Sequence, residues 1–154
     1  MADTEKLRHR LEEMLKDHLG VTGLVTDDEG DYPVRAGSAK YYVRLEDTAE
    51  PPTIHVYAQI LIGVSASPNL YETLNAVNSH ITFGRMFHQG ETVFASTELV
   101  AETMDPEDLS QSCRSIAALA DQYDDLFQAE FGGTRQFEED ATTGEPENTT
   151  ASSS

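Results

Sequence analysis

Two asparagines three residues apart, Asn75 and Asn78, and an arginine in the following segment, Arg85, are the side chains whose types and spacing invite a chemical role. With Tyr71 the asparagines follow a four-then-three spacing. That puts all three on one helical stripe, about 100° around from an apolar stripe of Leu70, Leu74, Val77 and Ile81. A primary amide carries two donors and an acceptor, so such a face suits peptide backbone without demanding any one side chain. The structural alternative is that Asn78 closes the helix and Asn75 bonds to neighbouring backbone, since asparagine favours helix ends over interiors. Both roles fit the sequence. Arg44 and Arg85 fall in predicted strands of a chain with 10 basic and 28 acidic residues. Each is either ion-paired with one of the many acids or holds a carboxylate or carbonyl on the sheet. Arg44, Tyr71, Asn75, Asn78 and Arg85 are therefore the candidate binding residues.

Signals for catalysis are weak. The chain has no G-x-G-x-x-G, P-loop, H-E-x-x-H or C-x-x-C pattern. His9, His18, His55, His80 and His88 lack the close spacing of metal ligands. Asp27, Glu29 and Asp31 alternate like the start of a calcium loop, but Tyr32 stands where the glycine belongs and Ser38 where the bidentate glutamate belongs. A solvated acidic turn is the better reading. Cys113 falls on an apolar helix stripe, where a thiol packs as a small core residue and does not attack as a thiolate. Asp121, Asp124 and Asp125 fit a wet helix face. No catalytic residue, metal ligand or cofactor is expected.

The elements that must carry these residues follow from periodicity. Leu7, Leu11, Met14, Leu15, His18 and Leu19 mark a first amphipathic helix, capped by Asp3 or Thr4 and stopped by Gly20, with Glu12 and Lys16 as a pair on its wet side. Tyr32 to Ala36 and Lys40 to Leu45 alternate as a hairpin about Gly37-Ser38. Ile54 to Val64 is the strongest strand, and Tyr57 and Leu61 on its second face predict a central, partly covered position. Ser67-Pro68 starts the second helix. Thr82 to His88 and Thr92 to Leu99 form another hairpin. Asp105-Pro106-Glu107-Asp108 opens a last helix with a seam of Leu109, Cys113, Ile116, Ala120, Tyr123, Phe127 and Phe131, ended by Gly132-Gly133. The expected class is α+β, in the order α-β-β-β-α-β-β-α, with a mostly antiparallel five-stranded sheet packed against helices.

Length fits one domain, residues 1–137, with a real core. Residues 138–154 contain no large apolar side chain and are rich in acids, Thr, Ser, Gly and Pro, the composition of a disordered tail. The net charge is −18, and from Glu91 onward 15 acids face only Arg114 and Arg135. A field of that sign repels phosphate backbones and anionic lipid, so neither nucleic acid nor membrane is an expected partner. No stretch has the length and apolarity of a membrane span, and one cysteine allows no internal disulfide. A cytoplasmic protein is the expectation.

The run Leu74-Asn75-Ala76-Val77-Asn78, then Phe83-Gly84-Arg85, a hairpin, and a closing helix that starts D-P-E-D-L resembles the YbjN family, which shares the fold of the CesT-type secretion chaperones. The resemblance covers residues from about 3 to 131. It implies a non-enzymatic, often homodimeric module that captures a peptide segment of a client protein on a sheet edge or groove. It places Asn75, Asn78 and Arg85 at recurring family positions. A sensory or regulatory domain that binds a small ligand or protein partner is the second reading. A closed apolar pocket would favour that one, and an open groove the first.

Overall fold

The structure is a computed structural model that describes residues 3–36 and 39–135, together with the backbone of Thr149 and Thr150. Helix α1 (Thr4–Leu19) starts where the Asp3 carboxylate accepts the Glu5 N–H at 3.0 Å and ends at Gly20. It buries Leu7, Leu11, Met14 and Leu15. Glu12, expected on its wet side, instead turns inward and accepts the Tyr32 hydroxyl, which in turn accepts from Arg8 at 3.2 Å. A buried phenol needs a partner, and the helix supplies one.

After α1 come β1 (Val21–Thr22), β2 (Tyr32–Ala36), β3 (Ala39–Glu46) and β4 (Thr53–Ile62). Then follow α2 (Pro68–Asn78), β5 (Arg85–Gln89), β6 (Thr92–Val100), α3 (Pro106–Phe131) and β7 (Thr149–Thr150). Their order in the sheet is β1-β7-β2-β3-β4-β6-β5. The five expected strands pair antiparallel, with β4 between β3 and β6. Two-residue pieces, β1 and β7, extend one edge, and β7 meets β2 in parallel at Arg35. Of the expected C-terminal tail, only Thr149–Thr150 is among the described residues.

One face of the sheet is the core. Tyr41, Val43, Ile54, Val56, Ala58, Val93 and Ala95 alternate onto it, where α3 packs with Leu109, Cys113, Ile116 and Leu119. Cys113 is buried and bonded to Tyr41, and burial pushes its thiol up to about 12, the state of a packed group. A capping box of Asp105 and Asp108 opens α3, so acids sit at its positive end. In α2 the Ser67 hydroxyl accepts the Leu70 N–H at 3.1 Å, and Leu70, Leu74 and Val77 are buried. Ile81 lies beyond the end of α2 yet still packs on the core.

Two strands are shorter than their sequence suggests, for local reasons. The register shifts between Gln59 and Leu61, which buries Ile60 and Leu61 in succession. The N–H groups of Gly63 and Val64 then turn to the Glu91 carbonyl, so β4 stops at Ile62. The β5–β6 hairpin turns on Gly90-Glu91, both at positive φ, as a two-residue turn of matching twist requires. Before it, Thr82 to Gly84 stay out of the ladder. Gly84 has φ +92°, and a Cβ there would sit 3.0 Å from the Ser96 carbonyl oxygen with the Ile116 side chain behind it. The substitution Gly84→Ala combines backbone strain with a clash against a rigid neighbour. It is expected to cost about 1–3 kcal/mol in urea unfolding, with the slope of the transition unchanged.

Candidate functional site

The second face of the sheet carries the side chains that alternate away from the core. Tyr42 and Tyr57 are direct cross-strand partners on β3 and β4, and Phe94 and Phe87 are direct partners on β6 and β5. Their rings form one stripe: Tyr42–Tyr57 at 5.2 Å and Tyr57–Phe94 at 6.3 Å are edge-on, and Phe94–Phe87 at 5.3 Å is stacked. All four are half-buried. The described helices pack on the other face, with α2 at the β5 edge. Lys40, Arg44 and Arg85 lie over the rings of Tyr42, Tyr57 and Phe87 at 5.3, 5.7 and 5.4 Å, a cation–π frame on an otherwise acidic protein. A shallow open depression of about 400 Å³ runs along the stripe, with Arg44, His55, Tyr57 and Gln59 on one side and Arg85, Phe87 and Phe94 on the other.

One charged cluster fixes this face. Asp31 is fully buried and takes a bidentate grip from Arg44, Nε to Oδ1 at 2.6 Å and Nη2 to Oδ2 at 2.8 Å. The Tyr57 hydroxyl also donates to Asp31, and Asp27 accepts the Asp31 N–H at 2.9 Å. The acidic turn is thus not solvated throughout: Asp31 leaves it to become the counter-ion of the sheet, because the short Asp27–Asp31 turn points its carboxylate at Arg44. The hydrogen bond to Asp31 raises the Arg44 guanidinium further above its ordinary value. Burial, and then the same carboxylate, raise Tyr57. Arg85 is paired more loosely, at 2.6 Å from Glu98 on the next strand, with over half its side chain exposed.

The predicted binding residues divide between two places. Arg44 and Arg85 line the depression. Tyr71, Asn75 and Asn78 lie on α2, past the β5 edge. Tyr71 is 52% exposed and meets the His88 ring edge-on at 6.2 Å, and Asn75 is exposed. Asn78 donates to the Met86 carbonyl at 2.9 Å and accepts the Met86 N–H at 2.8 Å. Its amide therefore imitates a neighbouring strand and is committed to joining α2 to edge strand β5. The aromatic stripe itself was not singled out in the sequence. Its signal was present, since Tyr42 and Tyr57 occupy the polar phase of strands whose other phase is apolar, and Phe87 and Phe94 flank one hairpin turn.

The opposite edge is also occupied. Asp27 binds both the N–H and the carbonyl of Asp31, Pro33 has no N–H, and Arg35, next in the period of two, pairs with Thr149. An open groove is thus better represented than a free edge. Among the described residues, no three His, Cys, Asp or Glu side chains are placed to hold a metal ion, and no helix is long and apolar enough to cross a membrane.

Comparison with known proteins agrees with this architecture. Residues 5–139 match the profile of a family described as T3SS (YopN, CesT) and YbjN peptide-binding chaperone 1. Among solved structures, the ExsC–ExsE complex is similar at 17% identity and a TM-score of 0.62, covering 82% of this chain and 96% of that one. The HopA1–SchA chaperone–effector complex is similar at 9% identity and a TM-score of 0.62, covering 81% and 99%. Identities this low establish a shared fold. No curated protein sequence matches the chain significantly.

Two outcomes follow from the charged cluster and the buried phenols. Arg44→Ala strands a buried carboxylate and is expected to cost about 3–5 kcal/mol, against about 0–1 kcal/mol for Arg85→Ala, in parallel denaturant titrations. Tyr32, Tyr41 and Tyr57 all hold their protons above the ordinary tyrosine value, chiefly through burial. Unfolding releases them to ionise near 10, so their contribution to stability is intact below about pH 10 and is lost as the pH rises beyond it. Phenolate absorbance should show these three of the six tyrosines appearing only with the unfolding transition.

Proposed function

This chain belongs to the family of type III secretion and YbjN peptide-binding chaperones, and on that premise we propose that its uncovered sheet face takes an extended segment of a client protein. The aromatic stripe that crosses four strands on the helix-free face is the observation that carries this reading. An extended peptide presents alternate side chains to a surface, and rings spaced at strand intervals receive them. Arg44 and Arg85 stand across the depression from each other, where they meet client carbonyls or carboxylates. Tyr71 and Asn75 form a flanking strip on α2. The HopA1–SchA structure is of a chaperone with its effector, and a protein client of that general kind is the one we carry over to this chain. The role is binding, without catalysis. The depression is open and lined in large part by polar groups, which favours a segment of chain over an enclosed small ligand.

Family membership alone supports a homodimer and a cytoplasmic location, and light scattering at several concentrations tests the first. For the face itself, peptides selected from a random library displayed on phage provide the probe. Phe87→Ala and Arg85→Ala should each weaken the selected peptides by about tenfold or more while melting within a few degrees of the parent. If Asn75→Ala weakens them and Phe87→Ala does not, the site is the α2 strip and the reading fails.

A further inference from the structure

We infer that Glu98 sets what the ring face accepts: it cancels the charge of Arg85, so the face takes a client segment that is uncharged where it crosses the rings and refuses an acidic one. The inference rests on the reading that this face holds an extended client. Two guanidiniums border the depression, and each is matched by a carboxylate. Arg44 grips buried Asp31, and its Nη2 also lies 3.4 Å from Glu29 Oε2. Arg85 Nη1 donates to Glu98 Oε1 at 2.6 Å, and the Ser96 hydroxyl donates to Glu98 Oε2 at 3.4 Å. Beside the rings the lining continues as Gln59, Gln89 and Ser96, side chains that bond without charge.

Register explains why Glu98 decides. It stands on β6 directly opposite His55, and Arg85 pairs with Ser96 two residues before it, so Glu98 shares the face of Ser96 and Phe94 and lies diagonal to Arg85. A client carbonyl or carboxamide accepts from a paired guanidinium and adds no charge. A client carboxylate at the same place is repelled by Glu98, while Arg85 is already engaged. Asp31 is fully buried and belongs to the fold, whereas the Arg85–Glu98 pair is partly open to solvent, so its charge can be changed without undoing the sheet. The net charge of −18 acts in the same sense and favours basic residues on either side of the crossing segment. A second copy of this chain carries that same charge and is the less suited occupant.

The test uses one peptide selected from the phage library, with each position replaced in turn by Gln and by Glu. Both sets are titrated by fluorescence anisotropy against the parent protein and Glu98→Gln. That variant keeps the shape of the side chain and an oxygen for Arg85, and loses only the charge. In the parent, Glu should bind about tenfold or more weaker than Gln at one or more central positions, by a margin that shrinks with added salt. In Glu98→Gln that penalty should vanish or reverse at the same positions, with melting within a few degrees of the parent. The same Gln-to-Glu ratio in both proteins overturns the inference, even where Phe87→Ala upholds the site. If Phe87→Ala leaves the selected peptide unaffected, the reading of the face fails and this inference with it. Self-association that Phe87→Ala abolishes also overturns it, because the occupant would then be a second copy.

Discussion

Everything on the uncovered face of the sheet depends on a single buried carboxylate. Asp31 sits at the entry to β2 and holds Arg44 on β3 and Tyr57 on β4, so three consecutive strands are keyed by one charge. A buried ion is unfavourable unless its lone pairs are filled, and here a guanidinium fork and a phenol fill them. Tyr57 in turn fixes the ring geometry from Tyr42 to Phe94. The position of the Tyr57 ring within the aromatic surface is therefore set by that charged cluster.

The placement of the two arginines illustrates how one residue type serves different ends. Arg44 is bound into the fold, whereas Arg85, more than half exposed, is anchored by half-buried Glu98 and the Phe87 ring. In a chain with so few bases, their positions over a ring stripe, each paired with a carboxylate, give the face near-balanced charge on a protein of net charge −18. That contrast distinguishes the face from the rest of the surface, which is acidic and well hydrated.

Much of the fold was legible because it rests on periodicity. The apolar phases of β3, β4 and β6, the stripe of α2 and the seam of α3 each appear in the sequence at their observed faces. What escaped depended on contacts between distant residues. Asp31 looked like one acid of a turn until Arg44, thirteen positions on, claimed it. For Asn78 the sequence left two roles open, closing the helix or pairing with a ligand's backbone, and the backbone its amide meets is Met86 of its own chain. The aromatic stripe was hidden for another reason: its rings come from four strands, and only the register brings them together.

The amide of Asn78 has a consequence for the protein in bulk. A sheet with an open border can extend itself indefinitely by recruiting copies, which is how soluble chains come to form fibrils. Here a helix reaches over and caps Met86 on the outermost strand, and a proline, a tight turn and a short strand close the far border. The rings can thus stay exposed for a visitor while the borders of the sheet are engaged at Met86 and at Arg35.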